Sequence, residues 1–385
     1  MLHCLFNQKI SAVLIILTSF FVNSKSLYAS LQKEVSPLVE EVGQIIKEKY
    51  IIDNVNTKYL KNSAIDGMLR GLDPYSGYFD EEEFKNFQNN ANGKFYGIGI
   101  EIKTDLTSNY PIITNVFANS PAQQIGIIVG DIITHVNDVP VIGKKQSIVA
   151  KMIKGKRGTP IKITIRRTST NETFSRTLRR NEVKIPNVVS KIYKNKIAII
   201  EIKLFNQQTY NDFTEQLNEI RKQYDISGMI IDLRNNPGGL LESAVDIANL
   251  FLKDGQLITT IRGRNGVKVF DYIAHNKQDL FDNIKIAILI NRGTASASEI
   301  LAGCLQDYNI VKLIGETTFG KALVQEIFKL NNSSGAVKIT TGQYHTPKNK
   351  QINGVGIVPD IFVPEDINKH YDAILQCGIN YVSKL

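Results

Sequence analysis

Apolar residues recur at three-to-four spacing from about Leu31 to Gln88, in VSPLVEEVGQIIKEKY and again in LKNSAIDGMLRGL, and this period predicts amphipathic helices. The segment LDPYSGYF (Leu72 to Phe79) breaks it. From about Phe95 to Arg180 the period falls to two, and GIGIEI, YPIITNVF, DIITHVNDVPV and IKITIRR read as short half-buried strands. Between them SPAQQIGIIVGD (Ser120 to Asp131) places a short helix and a glycine turn. From about Asn187 the order becomes strand, helix, strand: KIAIIEIKLF, then NDFTEQLNEIRKQY, then GMIIDL with a PGG turn. LLESAVDIANLFL follows as a helix, LITTIRG as a strand, and KIAILI as the strand before another small-residue turn. Such alternation builds an α/β core with reactive groups at strand ends. The expected domains are residues 30–92 (helical), 93–182 (small strands) and 183–385 (α/β), with no internal repeat and no low-complexity linker.

The first 29 residues stand apart. ISAVLIILTSFFV (Ile10 to Val22) has signal-peptide length and is short for a membrane span, and LYAS offers a small-residue cleavage site after Ala29. An exported protein is expected, periplasmic or, with Lys9 and Lys25 flanking an uncleaved segment, anchored to the outer side of the inner membrane. Cys4 precedes the apolar stretch and does not fit a lipoprotein acceptor.

Composition excludes a disordered chain, because 43% hydrophobic against 22% charged residues is enough to build a sizeable core. Cys304 and Cys377 remain after the leader. They give no disulfide framework, and Cys304 reads as a small buried hydrophobe. No ligand spacing suggests a metal, and no cofactor is expected. The net charge of +9 raises nucleic-acid binding, and Lys151 to Arg180 holds ten basic residues against Glu172. No helix-turn-helix, zinc module or aromatic-basic pattern accompanies them, so the stretch reads as a solvated face of strands, suited at most to an anionic membrane or acidic substrates.

Candidate chemistry gathers at two small-residue turns. Ser296 lies in GTASASEI (Gly293 to Ile300), between an apolar strand and a helix-like stretch, where backbone N–H groups can stabilise an oxyanion. Lys321 lies in GETTFGKALVQ (Gly315 to Gln325). None of the five histidines, His3, His135, His275, His345 and His370, has an evident catalytic setting. A desolvated lysine can take the serine proton instead. Ser298 and Thr294 suit helix capping better than Ser296 does.

From about Leu38 onward the chain resembles the carboxyl-terminal processing proteases, or tail-specific proteases. LDPYSGYF, FYGIGIEI, DLRNNPGG, GTASASEILAG, QDY (Gln306 to Tyr308), FGKALVQ and GVGIVPD (Gly354 to Asp360) carry the resemblance. It implies an α/β (α+β multidomain) chain: a crotonase-like protease core, an inserted PDZ domain in its circularly permuted form, and an N-terminal helical domain. It implies a serine endopeptidase with Ser296 as nucleophile, Lys321 as general base and Gln325 orienting that lysine. Ala297 with Gly238 or Gly239 would form the oxyanion hole, and Asp307 would be structural. In the PDZ domain, Tyr96-Gly97-Ile98-Gly99 would receive a substrate's terminal carboxylate, with Ile98, Ile100 and the helix around Gln123 to Ile125 lining an apolar pocket. Lys154 stands where the family often has an activating arginine; lysine keeps the charge and loses the bidentate fork. Protein or peptide substrates with a free apolar C-terminus are the expected partners, and such families also use adaptor proteins or homo-oligomers. A non-catalytic PDZ-type peptide-binding scaffold and a small-molecule-binding module are the rival readings of the same fold.

Overall fold

The computed structural model describes residues 31–383 apart from 94, 106–107, 184, 195, 277–280, 282–283 and 366–370. The expected leader with Cys4 and His3, and His370, lie outside these residues. The chain divides into two compact units, residues 1–67 and 68–385.

In the first unit a π-helical turn (Leu31–Val35) leads into α1 (Ser36–Lys49), and α2 (Thr57–Arg70) begins before the unit ends. The helical period is realised, but α1 buries none of its residues: Leu38, Val39, Val42 and Ile45 are each more than half exposed.

The second unit opens where LDPYSGYF forms a turn and the short strand β1 (Gly77–Phe79), followed by α3 (Glu81–Ala91). Asp80 caps α3 by accepting from the Glu83 N–H, and Glu83 accepts from the Asp80 N–H in return, a reciprocal capping box. Next come β2 (Phe95–Gly97), β3 (Ile100–Thr104), β4 (Pro111–Val116), α4 (Pro121–Gln124), β5 (Ile132–Val136), β6 (Val139–Pro140), α5 (Gln146–Ile153), β7 (Pro160–Arg167), β8 (Glu172–Arg179) and β9 (Asn181–Val183). Strands β3, β4, β5, β7 and β8 form an antiparallel sheet in that order, β6 pairing with β5 at its side. Alternate residues of β7, Ile161, Ile163 and Ile165, point into a closed aliphatic core with Ile98, Ile113 and Val149. Entry strand β2 pairs with exit strand β9, so this subdomain starts and ends at one two-stranded ribbon.

Arg180 departs from the solvated basic face expected for this stretch. Only 8% exposed, it donates from Nε to Ile153 O and from Nη2 to Met152 O, and from Nη1 to Pro160 O and Thr159 Oγ1. It therefore caps the C-terminus of α5, where orphan carbonyls otherwise lack donors. Arg167 is likewise committed, paired with buried Asp131 at 2.8 Å.

The remaining elements are β10 (Val188–Tyr193), β11 (Ile197–Ile202), α6 (Thr209–Gln223), β12 (Gly228–Asp232), α7 (Leu241–Asn249), β13 (Leu257–Arg262), β14 (Lys268–Ile273) and β15 (Lys285–Ile290). After them come α8 (Ala297–Asp307), β16 (Lys312–Gly315), β17 (Leu323–Lys329), β18 (Ala336–His345), β19 (Ile361–Phe362) and α9 (Ala373–Ser383). The central sheet runs β10-β11-β12-β15-β16-β19, parallel throughout except where β10 pairs with β11. Its inner strands are near-continuous aliphatic runs because both faces are covered, by α6, α7 and α8 on one side and α9 on the other. The LITTIRG strand, β13, belongs instead to a second, antiparallel sheet of order β1-β18-β13-β14, with β17 on the other edge of β18.

Candidate active site

Neighbouring parallel strands β12 and β15 end together, Asp232 opposite Leu289, and the turns beyond them form one side of the site. This is the carboxyl-end position at which open α/β sheets present reactive groups. Asn236, fully buried in the first turn, joins the two. Its Nδ2 donates to Ile202 O at 2.7 Å, its Oδ1 accepts from Gly238 N–H at 2.9 Å, and its carbonyl accepts from Ala295 N–H and Ser298 Oγ, each at 3.0 Å. Thr294 Oγ1 donates to Leu233 O at 2.8 Å. Ser298 and Thr294 thus tie turn to turn, and the residue occupying the N-cap position of α8 is Ser296 itself. This reverses the expectation that capping belongs to the neighbours.

Ser296 has φ 57° and ψ −119°, a region that a non-glycine residue rarely adopts. Such a backbone persists only when its surroundings over-determine it, and such sites cluster where chemistry occurs. Two buried side chains supply the constraint. Glu299 accepts from Ser296 N–H (2.8 Å) and Lys321 N–H (2.9 Å) at one oxygen, and from Gly320 N–H (2.8 Å) and the Thr318 hydroxyl at the other. The Tyr344 hydroxyl lies 2.9 Å from Ser296 O and 2.6 Å from Lys321 O, sharing its one proton between them. Burial, and then Glu299, push the Tyr344 phenol well above its usual range, so it stays a donor. The backbones of Ser296 and Lys321 are therefore bolted together twice.

Gly238 and Gly239 permit the close approach. A Cβ at Gly238 would lie 2.8 Å from both Ala297 N and Ser296 Cβ, and one at Gly239 would strike Phe205 O. The two glycines differ as hydrogen-bond donors. Gly238 N–H is committed to Asn236, whereas the N–H groups of Gly239 and Ala297 have no partner among the described residues.

On the lysine side the side chains are engaged elsewhere. Lys321 Nζ stands 4.7 Å from the centroid of the Tyr75 ring and makes no hydrogen bond among the described residues. Burial, and then the Lys338 ammonium, lower its affinity for a proton; Asp73 and Glu299 act in the opposite sense. Gln325 does not meet Lys321: its Nε2 donates to Thr340 Oγ1 at 3.3 Å. Thr340 is also where the LDPYSGYF turn docks, since its N–H donates to Ser76 Oγ at 3.2 Å. Asp73 shapes that turn, accepting from Tyr75 N–H (2.7 Å), Ser76 N–H (2.8 Å) and Ser76 Oγ (2.8 Å). Burial opposes its ionisation, but the hydrogen bonds from Ser76, Tyr75 and Thr340 outweigh that and hold its carboxyl below the usual range.

Asp307 is buried at the end of α8, paired with Lys350 at 2.7 Å and accepting from Lys348 N–H at 2.9 Å, a brace for the turn after β18. Cys304 is buried and Cys377 half-buried, and both are free. Burial, and then Asp307, push the Cys304 thiol far up, so it is inert. Among the described residues no group of three or more His, Cys, Asp or Glu could hold a metal, and no helix is long and apolar enough to cross a membrane.

A second concave site lies in the smaller subdomain. Phe95, Tyr96, Ile98, Gly99, Ile153 and Lys154 are among its lining residues. Its helical wall is α5 rather than the segment around Gln123 to Ile125, because α4 is a single turn whose Ala122 packs into the core. Lys154 Nζ reaches over the Phe95 ring at 5.9 Å. Within the glycine loop, the carbonyls of Ile98 and Gly99 accept from Ala122 and Phe117, while the N–H groups of both residues have no partner among the described residues.

Glu299, Tyr344, Asp73 and Tyr75 were not singled out from sequence as site residues. Glu299 and the LDPYSGYF pair lie inside motifs that were recognised; Tyr344 carries no sequence signal beyond its place in a strand.

Comparison with known proteins agrees with this architecture. Residues 196–363 match the model of peptidase family S41, residues 112–167 a PDZ domain, and residues 21–83 the N-terminal domain of the activating protease CtpB. A carboxy-terminal-processing protease of Bartonella bacilliformis is 32% identical over 359 residues, covering 92% of this chain and 81% of that protein. A probable CtpA-like serine protease of Staphylococcus epidermidis is 34% identical over 364 residues, covering 91% and 71%. The solved photosystem II D1 C-terminal processing protease aligns over 92% of each chain with a TM-score of 0.53 at 25% identity. The chain belongs to peptidase family S41, among the carboxy-terminal-processing proteases, with a PDZ domain beside the protease core.

Proposed function

We propose that this peptidase is a serine endopeptidase that cleaves protein substrates near their C-termini, using Ser296 and Lys321 as a dyad. The observation that carries the reading is the Ser296 turn: a positive-φ serine at a helix start, flanked by two unpartnered backbone N–H groups and joined by Glu299 and Tyr344 to the segment bearing a half-buried lysine.

Ser296 Oγ attacks the scissile carbonyl as neutral Lys321 Nζ takes its proton. The oxyanion is stabilised by Ala297 N–H and Gly239 N–H, since Gly238 N–H is already spent on Asn236. The resulting Lys321 ammonium returns its proton to the leaving amine, and water then hydrolyses the acyl-enzyme with Lys321 again as base. The seat of Nζ on Tyr75 is a resting position, and catalytic hydrogen bonds commonly tighten only when substrate binds. Rotation of the flexible lysine chain brings the amine to Ser296, and Gln325 becomes its orienting partner on leaving Thr340.

In the PDZ domain, the Ile98 and Gly99 N–H groups receive the terminal carboxylate, Lys154 adds charge attraction, and the apolar walls favour an apolar last residue. The sequence of residues 1–29 supports export to the periplasm or to the outer face of the inner membrane, and adaptor or homo-oligomeric partners fit the same setting.

The test is a mass-spectrometric time course with residues 30–385 and a loosely folded substrate ending in apolar residues, supplied with a free or an amidated C-terminus. Cleavage of the free form that disappears in Ser296→Ala and Lys321→Ala is expected. Cleavage that survives either substitution overturns the dyad, and indifference to amidation overturns tail recognition.

A further inference from the structure

Arg180 stands at the junction of β8 and β9 with its guanidinium buried and no carboxylate paired to it among the described residues. One edge of the fork, Nε and Nη2, grips the consecutive carbonyls of Ile153 and Met152, and Nη1 holds Pro160 O and Thr159 Oγ1. Its backbone closes onto the same loop, the N–H donating to Thr159 O at 2.9 Å and the carbonyl accepting from Gly158 N–H at 2.7 Å. Burying a charge without a counter-ion is costly, so the arrangement persists only because the donors are spent on these oxygens. Gly155 leaves room for it. A Cβ there would lie 2.9 Å from Arg180 Nε, while the Gly155 φ is outside the left-handed region, so space rather than backbone conformation requires the glycine.

These contacts sit at one end of the second concave site. Its α5 wall ends in Ile153 and Lys154, and the β2–β9 ribbon contributes Phe95, Tyr96 and Val183 to its lining. Arg180 immediately precedes β9 and holds the last two residues of α5, so it bridges helix and ribbon. Gly155 N–H adds a longer link to Tyr96 O at 3.4 Å. Lys154 follows directly on the gripped carbonyls. We propose that Arg180 is a positioning residue for tail recognition: it fixes the separation of α5 from the β2–β9 ribbon and thereby selects the size of the last side chain that a peptide can seat there. A lysine cannot replace it, because a single ammonium lacks the planar fork that spans two consecutive carbonyls and the start of β7 at once. Hydrogen bonds hold direction as well as distance, which aliphatic packing alone does not.

The inference rests on the proposed role of this groove in binding C-terminal tails, and its test keeps the two apart. Labelled peptides ending in Ala, Val, Leu or Phe, each with a free or an amidated C-terminus, are titrated by fluorescence anisotropy with residues 30–385. The proteins are the wild type, Arg180→Lys, Arg180→Met and Gly155→Ala. Gly155→Ala keeps the arginine and pushes on it, so it disturbs the same pin by a second route. The wild type should favour one last residue by about tenfold over the poorest of the series, and the three variants should compress that spread to about threefold or less. Preference for free over amidated ends should persist in all of them, because the Ile98 and Gly99 N–H groups are untouched. Thermal melts are run alongside, and binding is read well below each midpoint. A spread that keeps its wild-type value in Arg180→Lys and Gly155→Ala overturns the proposal even where the melting temperature falls, since that is the result of a merely structural cap. A wild type without any size preference overturns it too. If Arg180→Met fails to fold, the other two variants carry the comparison. Equal binding of free and amidated peptides by the wild type overturns the tail reading instead, and the size spread across the variants still reports whether Arg180 sets the groove.

Discussion

The Ser296 turn is fixed by backbone geometry and by buried side chains with every oxygen in use, whereas the Lys321 side chain rests on an aromatic ring and makes no hydrogen bond among the described residues. In the proposed dyad the nucleophile is prepared by position, and the base by its electrical surroundings. A serine must be aimed, because its hydroxyl works only within reach of the carbonyl and the oxyanion donors. A lysine acting as base must be uncharged, and burial followed by the Lys338 charge shift Lys321 in that direction without fixing the amine's location. In the proposed mechanism its long chain supplies the motion that joins the two.

The contrast breaks most sharply at the reacting atoms. Ser296→Ala should lower kcat/KM by about 10⁴-fold or more, as removal of a nucleophile does in other serine peptidases, and titration of Lys321 should be little altered. Cleavage of a peptide series by mass spectrometry checks the first, and acetylation mapping the second.

Next is the clamp shared by both sides. Glu299→Ala would strand four donors, two of them buried and two partly buried, and should cost about 3 kcal/mol of stability together with most activity, measured by denaturant melts beside turnover. Gly239→Ala drives a Cβ against Phe205 O and displaces the free N–H, so kcat should fall about 10²-fold, with KM changing less.

The pH response sharpens the base side. Because burial and Lys338 lower the Lys321 affinity for a proton, its neutral form begins to accumulate below the ordinary lysine value of 10.5, and kcat/KM should rise with pH along that limb. A profile that rises only at the ordinary value would mean the surroundings do nothing. The smallest effect is expected in the PDZ groove: Lys154→Gln should weaken binding of peptides with a free carboxylate by about tenfold and leave amidated peptides unchanged, as calorimetry would show.

What could be read from sequence follows the same division. The S41 core, the PDZ domain and the N-terminal domain were all recognisable, because turns such as PGG and GTASASE keep their residue types in a fixed order along one chain. The periods of 3.6 and two located helices and strands but not sheet membership, and β13 went to the antiparallel sheet because nothing in LITTIRG records its partner. Gln325 on Thr340, Tyr75 under Lys321 and Arg180 beneath α5 each depend on register or on side-chain direction across elements distant in sequence. Arg180 was counted among solvated charges because alternation says which side a residue takes, not that a helix terminus waits there to be capped.

The measurement that tests the central claim most directly is the pH-dependent rate at which a serine-reactive phosphonate labels residues 30–385, located by peptide mapping, in the wild type and in Lys321→Ala. The account predicts a single adduct on Ser296, forming faster as pH rises along a limb below the ordinary lysine range, and nearly abolished without Lys321. An adduct elsewhere, or a Ser296 adduct whose rate is the same in Lys321→Ala, would contradict it.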